Sequence, residues 1–187
     1  MPSLLITTSR RTSNRIRSFV RDLSTVFPNS ERFNRGSISQ DELFARIKQS
    51  DAKGLIIVTI FRGNPDSMMI YGYEGNLILD LKIESAILRR ELVKQKSVRS
   101  NEAVYLCFTP ESSKVANELI TFLSSILNLD PIESSTIPLI DIGNNDFIVS
   151  IDVKGKDIIW THYQASTGLE IGPRIRIRHF RSFEGVD

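Results

Sequence analysis

Residues 4–27 read LLITTSRRTSNRIRSFVRDLSTVF, and the fold turns on how this stretch is divided. Its first part is aliphatic and β-branched, the composition of a buried strand. Beyond the two arginines, apolar residues fall at 16, 19, 20, 23, 26 and 27, the three- and four-residue spacing of one helical face. Thr12 or Ser13 can cap that helix, and Pro28 helps to end it. A strand running straight into an amphipathic helix opens an α/β unit, with the sheet behind the helix.

The pattern returns 100 residues later, in AVYLCFTPESSKVANELITFLSSIL (103–127). Ser9 matches Thr109, Thr12-Ser13 match Ser112-Ser113, and Phe19, Val20 and Leu23 match Leu119, Ile120 and Leu123. Two pseudo-repeated halves are the economical explanation. The expected fold is therefore α/β with a mixed sheet, one domain over 1–187 made of halves at about 1–95 and 96–187. The charged stretch RRELVKQKSVRSNE (89–102) is the candidate boundary. In the first half, Ser39 and Glu42 form a capping-box pattern ahead of a short helix. GLIIVTIF (54–61), SMMIYGY (67–73) and NLILDLKI (76–83) read as strands, with a turn at EGN. In the second half, STIPLIDI (135–142), FIVSIDV (147–153), DIIWTHY (157–163) and PRIRIRHF (173–180) are strand-like, with a turn at KGKD.

The two matched helices differ where packing does not decide. Arg17 and Arg21 lie opposite the apolar stripe of the first, whereas the second has Asn117 and Thr121 there. Either a ligand placed those arginines or they belong to an ordinary solvated face. Arg10, Arg11 and Arg15 are harder to assign to capping, because cations at a helix start oppose its dipole unless an anion arrives. At the other end of the chain, Arg174, Arg176 and Arg178 alternate with Ile175 and Ile177. A strand puts the three arginines on one face, where they are expected to track neighbouring phosphates; the alternatives are cover by acidic residues from the middle of the chain, or an edge protected from pairing by charge.

Net charge is +2, yet it is unevenly spread. Residues 1–50 hold nine Lys/Arg against four Asp/Glu, 51–170 hold eleven against sixteen, and 171–187 hold four against two. Basic ends around an acidic middle suit a surface facing a polyanion. The lone Cys107 allows no intrachain disulfide or cysteine metal cluster and points to a reducing, cytoplasmic setting. No apolar run approaches the ~20 residues of a membrane span. His162 and His179 have no neighbours at metal-ligand spacing, and no phosphate loop, dinucleotide fingerprint or nucleophile elbow occurs. The expectation is no enzyme, no metal and no cofactor. Trp160 and Tyr163 could stack on bases, but aromatics in an alternating strand are more often core.

Three pieces, LLITTSRRTSNRIRSFVRDLSTVFPNSERFNRG (4–36), RGNP (62–65) and LEIGPRIRIRHF (169–180), together resemble the Brix domain family of ribosome-biogenesis proteins, in particular its small-subunit processome and compact archaeal members. The resemblance implies halves that each look like the anticodon-binding domain of class IIa tRNA synthetases. It implies work on precursor rRNA or a guide-RNA particle, alongside ribosomal or other assembly proteins, without catalysis, membrane or DNA. It highlights Thr8, Ser9 and Arg10; Asn34, Arg35 and Gly36; Arg62, Gly63 and Pro65; and Gly172, Pro173, Arg174 and Arg178. Absence of long charged extensions fits an archaeal-type form; a eukaryotic source would make it nucleolar.

The residues expected to touch RNA are Arg10, Arg11, Arg15, Arg17, Arg35, Arg62, Arg174, Arg176 and Arg178. Two other readings stand beside this one: a small nucleotide- or anion-binding module using the helix start after TTSRR, and a protein–protein scaffold that binds no RNA.

Overall fold

The structure is a computed structural model, and it describes residues 2–27, 29–93, 103–139 and 146–183. The first half runs β1 (Leu4–Thr8), α1 (Asn14–Val26), β2 (Ser30–Arg32), α2 (Gln40–Ser50), β3 (Gly54–Phe61), β4 (Asn64–Gly72), β5 (Leu77–Ile87) and the single turn α3 (Arg89–Leu92). The second runs β6 (Ala103–Phe108), α4 (Pro110–Val115), α5 (Asn117–Leu127), β7 (Pro131–Glu133), β8 (Phe147–Lys154), β9 (Asp157–Gln164) and β10 (Arg174–Ser182).

All ten described strands form one sheet, ordered β2-β1-β3-β4-β5-β10-β9-β8-β6-β7. Three parallel strands lie at each end, β2-β1-β3 and β7-β6-β8, and antiparallel strands fill the middle. The halves meet where β10 pairs antiparallel with β5, from Arg174 opposite Ile87 to Ser182 opposite Leu79.

Alternation along the strands sorts the core into two layers. Leu4 and Ile6 of β1 join α1 (Ile16, Phe19, Leu23) and α5 (Leu119, Leu123) in one cluster that also takes Ile175 and Ile177. Both long helices therefore share a sheet face. Leu5, between Leu4 and Ile6, points the other way and packs with Leu43 and Ile47 of α2. Helix α2 starts as its pattern requires, with Ser39 accepting from the Glu42 amide at 3.2 Å and Glu42 accepting from the Ser39 amide at 2.7 Å.

Two expectations need correction. The second amphipathic stretch is not one helix: it breaks at Ala116, whose φ of −135° and ψ of 23° depart from helical values. Pro110 starts α4 at its first turn, and Thr109 occupies the cap position. Ser112 and Ser113 therefore lie inside the helix, and the Ser112 hydroxyl donates to Ile151 O at 2.9 Å. The stretch 135–142 was expected to be a strand, but 134–139 form none, and 140–142 lie outside the described residues. The strand comes earlier, at Pro131–Glu133. Most of the expected boundary, from residue 94 to 102, also lies outside them.

The seam between halves is built from interlocking polar and aromatic contacts. The Phe27 ring, just past α1, meets Trp160 of β9 edge to face at 5.8 Å. Trp160 Nε1 donates to His162 Nε2 at 3.0 Å, which leaves the proton on Nδ1, 2.8 Å from Pro173 O. Burial pushes the fully enclosed His162 imidazole down to about 4, and the charge of Arg89 adds to this, against the pull of Pro173 O. Within the first half, next to the seam, Arg15 of α1 pairs with Glu91 of α3 and donates to Ala86 O at 2.9 Å. Asp22 of α1 accepts the Arg89 amide at 2.9 Å.

Two outcomes are expected. His162 is depressed in the folded protein, so its contribution to stability is complete above the unfolded value near 6.5 and is lost as pH falls towards 4; chemical denaturation should register about 3 kcal/mol of pH-dependent loss that His162→Gln removes. A wild-type minus variant difference that is flat across that window would refute the buried neutral imidazole. Arg15→Gln should lower stability by about 1–2 kcal/mol, because Ala86 O and Glu91 lose their partner. An unchanged urea midpoint would show that Arg15 is not a strut.

Candidate nucleic-acid interface

Because β1, β2 and β3 are mutually parallel, their carboxyl ends open at the same edge of the sheet. The chain leaves β1 through Ser9, whose amide donates to Val58 O of β3 at 2.8 Å, and whose hydroxyl donates to Arg11 O at 2.6 Å. This tight turn presents Arg10 and Arg11 outward, both exposed. Ser13 then caps α1, accepting from the Ile16 amide at 3.2 Å, and donates to Gly63 O at 2.9 Å. That bond ties the helix start to the β3–β4 turn.

The turn itself is Arg62-Gly63, with φ of +48° and +84° and Phe61 paired to Asn64. Two positive φ values in a two-residue hairpin are the type I′ pattern, which Gly63 accepts without strain. Arg62 lies 5.2 Å above the ring of Phe61, which is 60% exposed. The loop after β2 adds Arg35, which donates to Ile38 O at 3.3 Å. Partial burial lowers the Arg35 guanidinium below its ordinary value, and the charge of Arg10 adds to this, so the two loops place like charges within reach of each other. Arg10 also acts on Glu42, whose carboxyl is held low mainly by the Ser39 amide.

The nine expected contact residues thus separate into four settings. Arg10, Arg11, Arg35 and Arg62 converge on the carboxyl edge. Arg17 lies on the outward face of α1 with Arg21, both exposed. Arg15 is committed to partners within the first half, Glu91 and Ala86 O. Arg174, Arg176 and Arg178 line the sheet face opposite α1 and α5, since the intervening Ile175 and Ile177 are in the helix-side core. Each of these three has a carboxylate: Glu170 for Arg174 (2.7 Å from Nε), Asp157 for Arg176 (2.6 Å) and Glu84 for Arg178. Acidic cover of the row, one of the alternatives to the expected phosphate track, is the arrangement observed, and β10 is paired on both sides and so is no edge. No ion pair involves Arg10, Arg11, Arg17, Arg35 or Arg62 among the described residues.

Sequence reading missed two members of the edge. Arg32, the exposed last residue of β2, is at the same carboxyl edge; the run ERFNR held the signal. Phe61 is the exposed aromatic there, whereas Trp160 is fully buried. Nothing in a strand-like run marks its last residue as the one beyond the sheet.

Of the four highlighted motifs, those around Thr8, Asn34 and Arg62 are far apart in sequence and assemble at this edge. The fourth is part of the seam: Pro173 O meets His162, and a Cβ on Gly172 would lie 2.8 Å from Leu92 Cδ1. A cleft of about 730 Å³ lies at the opposite end of β3, lined by Lys53, Tyr73, Asn117, Thr121 and Phe183. None of the edge arginines reaches it. Among the described residues no cluster of His, Cys, Asp or Glu could hold a metal, and no helix is long and apolar enough to cross a membrane.

No family model matches the chain. It is 28% identical over 185 residues to the U3 small nucleolar ribonucleoprotein protein imp4 of Schizosaccharomyces pombe, covering 96% of this chain and 61% of that protein. A probable Brix domain-containing ribosomal biogenesis protein of Pyrococcus abyssi is 27% identical over 190 residues, covering 94% of this chain and 83% of that one. The crystal structure of a probable ribosomal biogenesis protein from Aeropyrum pernix superposes with a TM-score of 0.73 at 27% identity, over 96% of this chain and 97% of that one. The chain spans about 60% of the length of the first eukaryotic relatives it matches. The chain is thus similar over nearly its whole length to proteins named for the Brix domain and for ribosomal biogenesis, on a mixed α/β sheet that it shares with the archaeal structure.

Proposed function

We propose that this protein is a non-catalytic ribosome-assembly factor that holds precursor rRNA, or the rRNA within a guide-RNA particle, through the carboxyl edge of β1, β2 and β3. The observation that carries this reading is the convergence of Arg10, Arg11, Arg35 and Arg62, from three separate loops, without carboxylate partners, beside the exposed ring of Phe61. Arginine forks bind phosphate oxygens, and an exposed aromatic offers a stacking surface to an unpaired base. The names of the relatives, U3 ribonucleoprotein proteins and ribosomal biogenesis proteins, support the same destination. Ribosomal or other assembly proteins are then the natural co-partners, in the cytoplasm or, in a eukaryotic source, the nucleolus.

The pseudo-repeat belongs to this reading. Halves 1–95 and 96–187 run through their strands in the same sequence, parallel triplet then antiparallel pair, and equivalent amides bridge equivalent strands: Ser9 N to Val58 O and Thr109 N to Ile151 O. Likeness to an anticodon-binding domain in each half would suit an RNA-facing ancestry. The halves have diverged in charge: the loop that follows β1 carries Arg10 and Arg11, and the one that follows β6 carries Pro110 and Glu111. RNA contact is accordingly assigned to the first half.

The β10 row is given the secondary role, because a phosphate reaching Arg176 or Arg178 would have to displace Asp157 or Glu84. A nucleotide-binding alternative gains nothing from the cleft near Lys53, which is lined by none of the edge arginines.

Binding of structured rRNA measured against salt tests the assignment. Arg10→Gln/Arg11→Gln/Arg62→Gln should flatten the slope of log affinity against log salt by about 2, at ~0.7 per lost single-strand phosphate contact, while Arg174→Gln/Arg176→Gln/Arg178→Gln should move it by less than about 1. An unchanged slope in the folded edge variant would sink the edge as the RNA site. A large change in the β10 variant alone would transfer the site to the open sheet face.

A further inference from the structure

The three loops that carry the edge arginines leave different strands, yet each is fastened by a hydroxyl from one segment, TTSRRTS (7–13). Thr7, fully buried, donates to Phe33 O at 2.9 Å and holds the start of the loop that bears Arg35. Ser9 donates to Arg11 O at 2.6 Å and closes the turn that bears Arg10 and Arg11. Ser13 donates to Gly63 O at 2.9 Å and holds the hairpin that bears Arg62 and Phe61. Capping asks Ser13 only to accept, from the Ile16 amide; the bond it donates is additional.

The second half has the same strand order without these ties. Its bond from Thr109 N to Ile151 O matches the one from Ser9 N to Val58 O, and this register puts Cys107 where the first half has Thr7. A thiol is only a weak donor. The Thr109 hydroxyl lies against Ser112 and Asp152, and the Ser113 hydroxyl donates to Pro110 O within its own helix. Among the described residues, hydroxyls of this segment reach out to the neighbouring loops only at the edge that carries the arginines. Those loops also repel one another, since Arg10 and Arg35 lie within electrostatic reach.

We propose that Thr7, Ser9 and Ser13 are positioning residues that fix the spacing of the edge cations, so that the edge selects RNA whose phosphates are held in place by folding over a flexible polyanion. The inference rests on the edge as the RNA site and adds which RNA that site prefers. Counterion release depends on how many cations meet phosphates, so a loosened edge keeps its salt dependence. Preorganisation is a separate contribution: loops already fixed at matching positions have little freedom left to lose when they meet a rigid array of phosphates. A flexible chain adjusts to a fixed or a loose edge alike and gains little from the ties. Releasing the loops lets their like charges move apart, and the match to a rigid array is lost.

The test titrates the full chain with a magnesium-folded rRNA transcript and with poly(U), each over a range of salt and below the unfolding midpoint of every variant. Thr7→Val/Ser13→Gly removes two of the ties, and glycine keeps most of the cap. The double variant should bind the folded transcript about tenfold more weakly than the parent, bind poly(U) within about twofold, and show the parent's salt slope on both. Ser13→Gly alone, which leaves the buried Thr7 in place, should show the same pattern at about threefold. Thr7→Ser/Ser13→Thr, which keeps both hydroxyls, should bind the transcript like the parent. Equal weakening on the two ligands, unchanged affinity of the Gly variants for the transcript, weakened binding by the hydroxyl-keeping variant, or a parent that binds poly(U) as tightly as the transcript would overturn the proposal. Arg10→Gln/Arg11→Gln/Arg62→Gln separates it from the reading beneath it. An unchanged slope there removes the edge as the RNA site, whereas a flattened slope beside Gly variants that bind like the parent removes only the positioning role.

Discussion

The pairing of β10 with β5 is the constraint from which the rest follows. It joins strands that are almost a hundred residues apart, converts two five-stranded units into one sheet, and sets α1 and α5 on the same face. Without it, each unit would leave a long strand edge unpaired, a template for association with other chains. The contacts at the seam, Phe27 on Trp160, Arg15 on Ala86 and Glu91, and His162 on Pro173, are arranged around that join. Of these, Phe27 on Trp160 crosses the join, and one core cluster draws on both halves, from Leu4 and Phe19 to Trp160 and Ile177. The outer ends of the sheet are instead closed by β2 and β7, each only three residues long.

Electrostatics divides the molecule along the same line. Most of the arginines that the fold uses are satisfied by it: Arg15, Arg174, Arg176 and Arg178 each have a carboxylate, and Arg46 pairs with Glu31 while covering the ring of Phe33 at 4.1 Å. The carboxyl edge of the first half is different, since its loops bring cations together and the Glu42 carboxylate, which feels the charge of Arg10, is already committed to capping α2. Holding like charges together without a counterion costs free energy, and a polyanion relieves that cost on arrival.

Periodicity made most of this legible. The 3.6-residue spacing located α1, the Ser39–Glu42 pair located α2, and alternation correctly put Ile175 and Ile177 inside with the arginines outside. The broken second helix was hidden because Ala116, where it breaks, is a good helix former. Past Arg178 the period-two rule itself fails. Register shifts near Ile177 and His179 leave Arg178 and His179 both outward and return Phe180 to the core, a bulge that no residue type in RIRIRHF announces. The candidate site was legible as a set of arginines but not as a place, because convergence depends on three parallel strands ending together. The carboxylates opposite the β10 row come from positions 84, 157 and 170, and only the sheet order brings them to it.

Trp160 is the single tryptophan of the chain, fully buried at the seam between Phe27 and the neutral ring of His162. Its position makes the protein its own spectroscopic gauge. Indole emission responds to solvent and to a neighbouring imidazolium, so one intrinsic signal reports both the docking of the halves and the protonation of His162. The arginine edge holds no tryptophan of its own, so a partner that brings one there adds a separate emission. A single fluorophore thereby distinguishes a ligand that merely lands on the protein from one that pries its halves apart.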